Sequence, residues 1–127
     1  MAFGDQPVAV SSQRTTYRRT PVVGGTGSSA PVTDAWNVDG LPRQFVNALQ
    51  TVGGAAATLK VEWAIRDSTT PTVPEWLWLQ SITLVPGVPV NTLLGVATSG
   101  GTGAVWLRFT LSGAAGDTCE LAASAFV

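Results

Sequence analysis

The chain has 127 residues, of which 12% are charged and 45% apolar, with a formal net charge of -1. That length suits one domain with its own core, the composition excludes disorder over most of it, and so small a charge supplies no global field for nucleic acid or a membrane. With no histidine and one cysteine, Ser-His and Cys-His nucleophile pairs, imidazole metal sites and thiolate zinc sites are excluded as well.

Residues 1–33 are rich in Ser, Thr, Gln, Gly and Pro and have no helical period. They are expected to form an extended N-terminal arm that orders against a partner. The opening "MAFGDQPVAV" has no basic region and no continuous apolar core, so it does not read as a secretory signal. "GGTGSS" (24–29) has no following lysine and reads as a linker, not a phosphate loop. "RTTYRR" (14–19) sets Tyr17 among Arg14, Arg18 and Arg19, and Asp5 is the arm's one acid, which leaves it at +2. Three readings stay open for this cluster: weak phosphate contact, docking on an acidic protein surface, or a solvated arm. Residues 34–127 carry four basic and seven acidic groups, or -3.

The body, 34–127, reads as short β runs punctuated by turns. "AWNVDG" offers a short strand ending at the turn pair Asp39-Gly40. With Asp34, Asn37 and Asp39 it superficially suggests a calcium loop, but the first spacing is wrong and no closing Glu follows, so a plain turn is favoured. "RQFVNALQTV" (43–52) is ambiguous: Phe45, Ala48 and Leu49 fit a helical turn, whereas Phe45, Asn47 and Leu49 fit one strand face. Its flanking Pro42 and Gly53-Gly54 favour a strand or single turn over a long helix. "ATLKVEWAIRDS" (57–68) alternates clearly, placing Leu59, Val61, Trp63 and Ile65 inside.

"DSTTPTVP" (67–74) is a loop. "EWLWLQSITLV" (75–85), the turn "PGVP", a strand "VNTLLGVA" (90–97) and a loop "TSGGTG" follow. "AVWLRFTLSG" (104–113) puts Val105, Leu107, Phe109 and Leu111 on one face, with Trp106, Arg108 and Thr110 on the other. "AAGD" turns the chain into a last strand, "TCELAASAFV" (118–127), where Cys119 is expected to be a buried, inert thiol. From Trp76 to Leu107 there is no charge. Pro86, Gly87, Pro89 and several polar residues nevertheless rule out a spanning helix there. The expected fold is all-β: an antiparallel β-sandwich, jelly-roll-like, with the arm attached.

In strand 75–85, Leu77 and Leu79 share a face while Ile82 and Leu84 belong to the other. A bulge near Gln80-Ser81 would bring all four inward and leave Trp76 and Trp78 outside. Together with Trp106 they would form an aromatic patch of the kind used at protein interfaces or for stacking sugars, unless loops or the arm cover it. Glu62, Glu75 and Glu120 are carboxylates in or beside strands, but nothing marks two of them as a hydrolytic pair. No cofactor or metal is expected, and the protein is not expected to be an enzyme. A surface this poor in charge lacks the usual protection against association, which points to a covered exterior.

The segments "LKVEWAIRDSTTPTVPEWLWLQ" (59–80), "GAVWLRFTLSGAAGD" (103–117) and "CELAASAFV" (119–127) resemble small β-sandwich virion proteins of tailed bacteriophages, especially head decoration (cement) proteins. The resemblance covers residues 57 to 127 and rests on pattern more than on invariant motif. A departure is "DSTTPTVPEW", where similar sequences often carry a Gly-containing tight turn. The resemblance implies a virion protein assembled in the host cytoplasm, a homo-oligomer with a trimer favoured, and the major capsid protein as partner. It implies body contacts at Trp76, Trp78 and Trp106, with Arg108 beside them, and arm contacts at Arg14, Tyr17, Arg18 and Arg19. Membrane association is not expected, nor is nucleic-acid binding. Two alternatives stand beside it: a minor tail or fibre-associated subunit, and a carbohydrate-binding module that stacks sugars on the outward tryptophans.

Overall fold

A computed structural model describes residues 14–24, 32–65, 72, 75–94 and 105–127. Eight strands make up the described elements: β1 (Arg14–Arg19), β2 (Trp36–Asn37), β3 (Arg43–Val52), β4 (Thr58–Ile65), β5 (Leu77–Thr83), β6 (Val90–Leu94), β7 (Val105–Ser112) and β8 (Thr118–Phe126). They form two four-stranded antiparallel sheets, ordered β1-β8-β3-β6 and β2-β7-β4-β5. There is no α-helix among the described residues.

The core comes from the inward parity of both sheets, which gives a sandwich-like arrangement. Leu59 and Val61 of β4 lie opposite Leu111 and Phe109 of β7, and all four are fully buried. From the other sheet come Val46 and Ala48 of β3 with Cys119, Leu121, Ala123 and Ala125 of β8. These alternations are those of half-buried strands, so the period-2 reading holds for β4, β7 and β8. Trp63 is partly buried and packs against the core. Ile65, expected inside, is exposed at the strand end, and Ala64 is buried instead.

The expected boundary at residue 33 does not hold for residues 14–24. β1 pairs along its whole length with β8, from Arg14 opposite Phe126 to Arg19 opposite Leu121. Val22 bridges to Thr118, and Val23 is buried, its N–H donating to the Asp117 carbonyl at 2.9 Å. The physical reason is Tyr17. It is 5% exposed and stacks on Trp36 at 5.3 Å and on Phe109 at 6.0 Å between ring centroids. A ring of that size packed on the core ties its strand to the body. Residues 1–13 and 25–31, the rest of the expected arm, lie outside the described residues.

β3 settles the ambiguous segment as a strand, with an unusual face inward. Gln44, Val46, Ala48 and Gln50 are buried while Phe45 is exposed. Gln50 compensates for its burial by closing the loop that follows: Nε2 donates to Ala55 O at 2.8 Å, and Oε1 accepts from Ala57 N–H at 3.0 Å. Gln44 Nε2 donates to Leu41 O at 2.6 Å. Phe45 instead stacks on Phe126 at 5.7 Å across the outer face.

The turns follow their sequence signals. Gly40 has φ 73°, Leu41 N–H donates to Val38 O, and Asp39 N–H donates to Asn37 Oδ1. An Asx turn therefore occupies the suspected calcium loop. Gly87 has φ 76° in the turn joining β5 to β6, where Val88 N–H donates to Val85 O at 3.0 Å.

Candidate interaction surface

β5 carries the expected bulge one residue early. Gln80 lies opposite Val61 and Trp78 opposite Glu62, so the register slips at Leu79. Ile82 and Leu84 are buried, and Leu79 packs against the core. Leu77 does not go inside: among the described strands it sits on an outermost one whose neighbour is β4, and it is 54% exposed. The slip turns Trp78 outward, 64% exposed, with Nε1–H donating to Ser81 Oγ at 3.2 Å.

The outer face of this sheet holds the other body residues. One cross-strand row runs Arg108, Glu62, Trp78; the adjoining row pairs Trp106 with Ala64. Arg108 Nε donates to Glu62 Oε1 at 3.0 Å, and its guanidinium carbon lies 4.6 Å from the centre of the Trp76 ring. Lys60 Nζ stands 3.9 Å from the same carboxylate oxygen. Arg108 is thus held between a carboxylate and an indole face, an arrangement that fixes Trp76 more than it frees Arg108 for a partner. Trp76 and Trp106 are partly covered, and Ala64, of outward parity, is fully buried. The four residues expected here therefore lie on one face, with Trp78 its most exposed member.

The four arm residues separate. Tyr17 is a core residue and not a surface contact. Its Oη lies 2.8 Å from both Oδ1 and the backbone oxygen of Asp34, and burial pushes its pKa up to about 12. Arg19 makes a two-pronged contact with Asp34, Nε to Oδ1 and Nη2 to Oδ2, each at 2.6 Å, and lies over the Tyr17 ring at 4.2 Å. That contact holds the Asp34 carboxyl down at about 2. Arg19, although exposed, is therefore engaged by its own chain. Arg14 and Arg18 have the opposite parity and are exposed on the outer face of the other sheet, away from the tryptophans.

The sequence reading missed Phe45, 44% exposed, and Leu93, 59% exposed, paired on the outer face of β3 and β6. Phe45's parity with Asn47 was the available signal; the buried glutamines on the alternate positions concealed which way it faced. Cys119 is buried, and its burial raises the thiol pKa. Among the described residues no three potential metal ligands come together, and no helix is long and apolar enough to cross a membrane. No protein-family model and no curated protein sequence matches the chain.

Proposed function

We propose that this chain is a non-enzymatic virion structural protein, a decoration or cement subunit that binds and stabilises a tailed-phage capsid. The observation that carries the proposal is the exposed pair Leu77 and Trp78 on an outermost strand, inside a stretch from Trp76 to Leu107 with no charge. Sheet edges left in water are ordinarily blunted by charge or proline. An edge with neither is suited to burial against another protein surface, where a tryptophan is a strong anchor.

The strand order supports a jelly roll. β1 pairs with β8, β2 with β7, β3 with β6 and β4 with β5, as one long hairpin wrapped on itself would pair, and this architecture is frequent in capsid and lectin domains. Fold-level likeness is analogy only; the surface carries the functional argument. In this reading the face of Trp76, Trp78 and Trp106 contacts copies of the chain, as a trimer, or the coat.

The test is co-sedimentation with empty heads built from the coat protein of the same genome. The wild type is expected to sediment with the heads. Trp78→Glu, which leaves the core intact, is expected to reduce the bound fraction about tenfold, the equivalent of losing an interface anchor. Undiminished binding by Trp78→Glu, or no binding by the wild type, would overturn the proposal.

A further inference from the structure

On the opposite side of the molecule the outer face of the β1-β8-β3-β6 sheet forms a trough. Its floor is β8, whose outward residues are Phe126, Ser124, Ala122 and Glu120. From the first to the last of these the strand spans about 20 Å. The two middle residues are small, so the sheet dips between a phenylalanine at one end and a glutamate at the other. β1 walls one side with Arg14, Thr16 and Arg18, which lie opposite Phe126, Ser124 and Ala122. β3 walls the other with Phe45, Asn47 and Leu49. Around Ala122, Arg18 and Glu120 lies a depression of about 440 Å³.

The groups lining it are specific in what they leave unused. Among the described residues, the side chains of Arg18, Arg43 and Glu120 make no hydrogen bond or ion pair with the rest of the chain. Among the described residues, Arg14 is engaged only by lying 6.0 Å from the centre of the Phe126 ring. Asn47 Nδ2 donates to Asn91 Oδ1, which leaves one amide oxygen and one amide nitrogen free to accept and to donate. Beyond the depression, Phe45 is 44% exposed on the same outer face, with the near-parallel Phe126 ring stacked against it at an interplanar angle of 10°. Arg14, Arg18 and Arg43 against Glu120 make this face positive, although the whole chain is slightly negative.

We propose that this trough is a binding site for an acidic oligosaccharide. Two guanidiniums on the β1 wall and a third facing them from β3 call for spaced carboxylate or sulfate groups, which arginine takes in two-pronged contacts. The Glu120 carboxylate calls for hydroxyl donors at that end. The free amide groups of Asn47 and Asn91 take hydroxyls in either sense. The Phe45 ring calls for a flat apolar face. A sugar chain bearing acids supplies all four at once. A single strand of nucleic acid would bring a phosphate at every step, including against Glu120, and three arginines give it only a weak hold. An acidic peptide meets Phe45 and Glu120 only where it happens to carry a ring or a free donor at those positions, whereas a sugar chain presents a ring face and hydroxyls at every unit. The site is separate from the tryptophan face and stands whether or not the capsid assignment does.

Isothermal titration of the full chain with size-defined oligogalacturonate and hyaluronan fragments tests it. The same titration is repeated with methyl-esterified oligogalacturonate, an oligo-dT strand and a polyglutamate peptide. At least one acidic sugar is expected to bind, and esterification is expected to weaken it about tenfold or more through loss of charge-assisted hydrogen bonds. Arg18→Gln, and separately Ala122→Phe, which fills the floor, are expected to produce the same loss with an unchanged circular dichroism spectrum. Trp78→Ala is expected to bind normally. No binding by either acidic sugar, equal or tighter binding of oligo-dT or polyglutamate, or full affinity in both trough variants would overturn the assignment.

Discussion

Asp34 shows how one carboxylate joins the amino-terminal strand to the body. It accepts both prongs of Arg19 and stands beside the hydroxyl of Tyr17. Its pKa is lowered to about 2, so the folded state prefers the ionised form. The resulting stability is present above the ordinary carboxylate pKa and is lost as pH falls toward 2. Because the pair is largely exposed, its contribution is small. Asp34→Asn is expected to cost roughly 0.5–1 kcal/mol at pH 7 by urea denaturation, with the difference from wild type fading as the pH is lowered from 4 to 2. A difference independent of pH would contradict the assignment. Tyr17 gives the opposite end of the range. Its pKa is raised to about 12, so the folded state prefers the neutral phenol, and that preference is lost as pH rises from 10 toward 12. Cooperative alkaline unfolding in that window, with tyrosinate absorbance appearing together with loss of structure, is the expected result.

At the scale of elements, β3 and its following loop are held by groups whose roles the sequence only half disclosed. A Cβ added to Gly53 would stand 2.3 Å from Asp117 Oδ1, and Gly53 has φ 122°. Gly53→Ala is therefore expected to destabilise by about 1–3 kcal/mol through backbone strain and overlap. Gln50→Leu would leave the Ala57 N–H and the Ala55 carbonyl without their partner, a cost of about 2–3 kcal/mol, readable as a lowered melting temperature. The strands themselves were legible where apolar residues alternate, as in Leu107, Phe109 and Leu111. They were misleading where a polar residue is inside for its hydrogen bonds, as Gln44 and Gln50 are, or where an edge position exposes a leucine, as at Leu77. The bulge in β5 was legible because Leu77 and Leu79 could not share a face with Ile82 and Leu84 without one. Its position was not, since a slip at Leu79 or at Gln80 satisfies the same pattern and the register is set by β4.

At the scale of the molecule, what escaped the sequence is long-range pairing. Arg14 meets Phe126 across nearly the whole chain, and a Ser- and Thr-rich run reads as an arm until its partner strand is known. Once β1 is placed in the sheet, "RTTYRR" divides into inward Tyr17, Arg19 held by Asp34, and outward Arg14 and Arg18. The two outer faces then acquire different characters. One is aromatic and adjoins an uncharged edge; the other is cationic and hollow. We propose that the chain hides the first of these against its own copies or a coat surface. Sedimentation equilibrium of the purified protein across a concentration series, wild type beside Trp78→Glu, tests that most directly. A wild type that assembles, with a trimer favoured, and a Trp78→Glu variant that stays monomeric with an unchanged spectrum are expected. A wild type that remains monomeric at high concentration and also fails to sediment with heads would contradict the account.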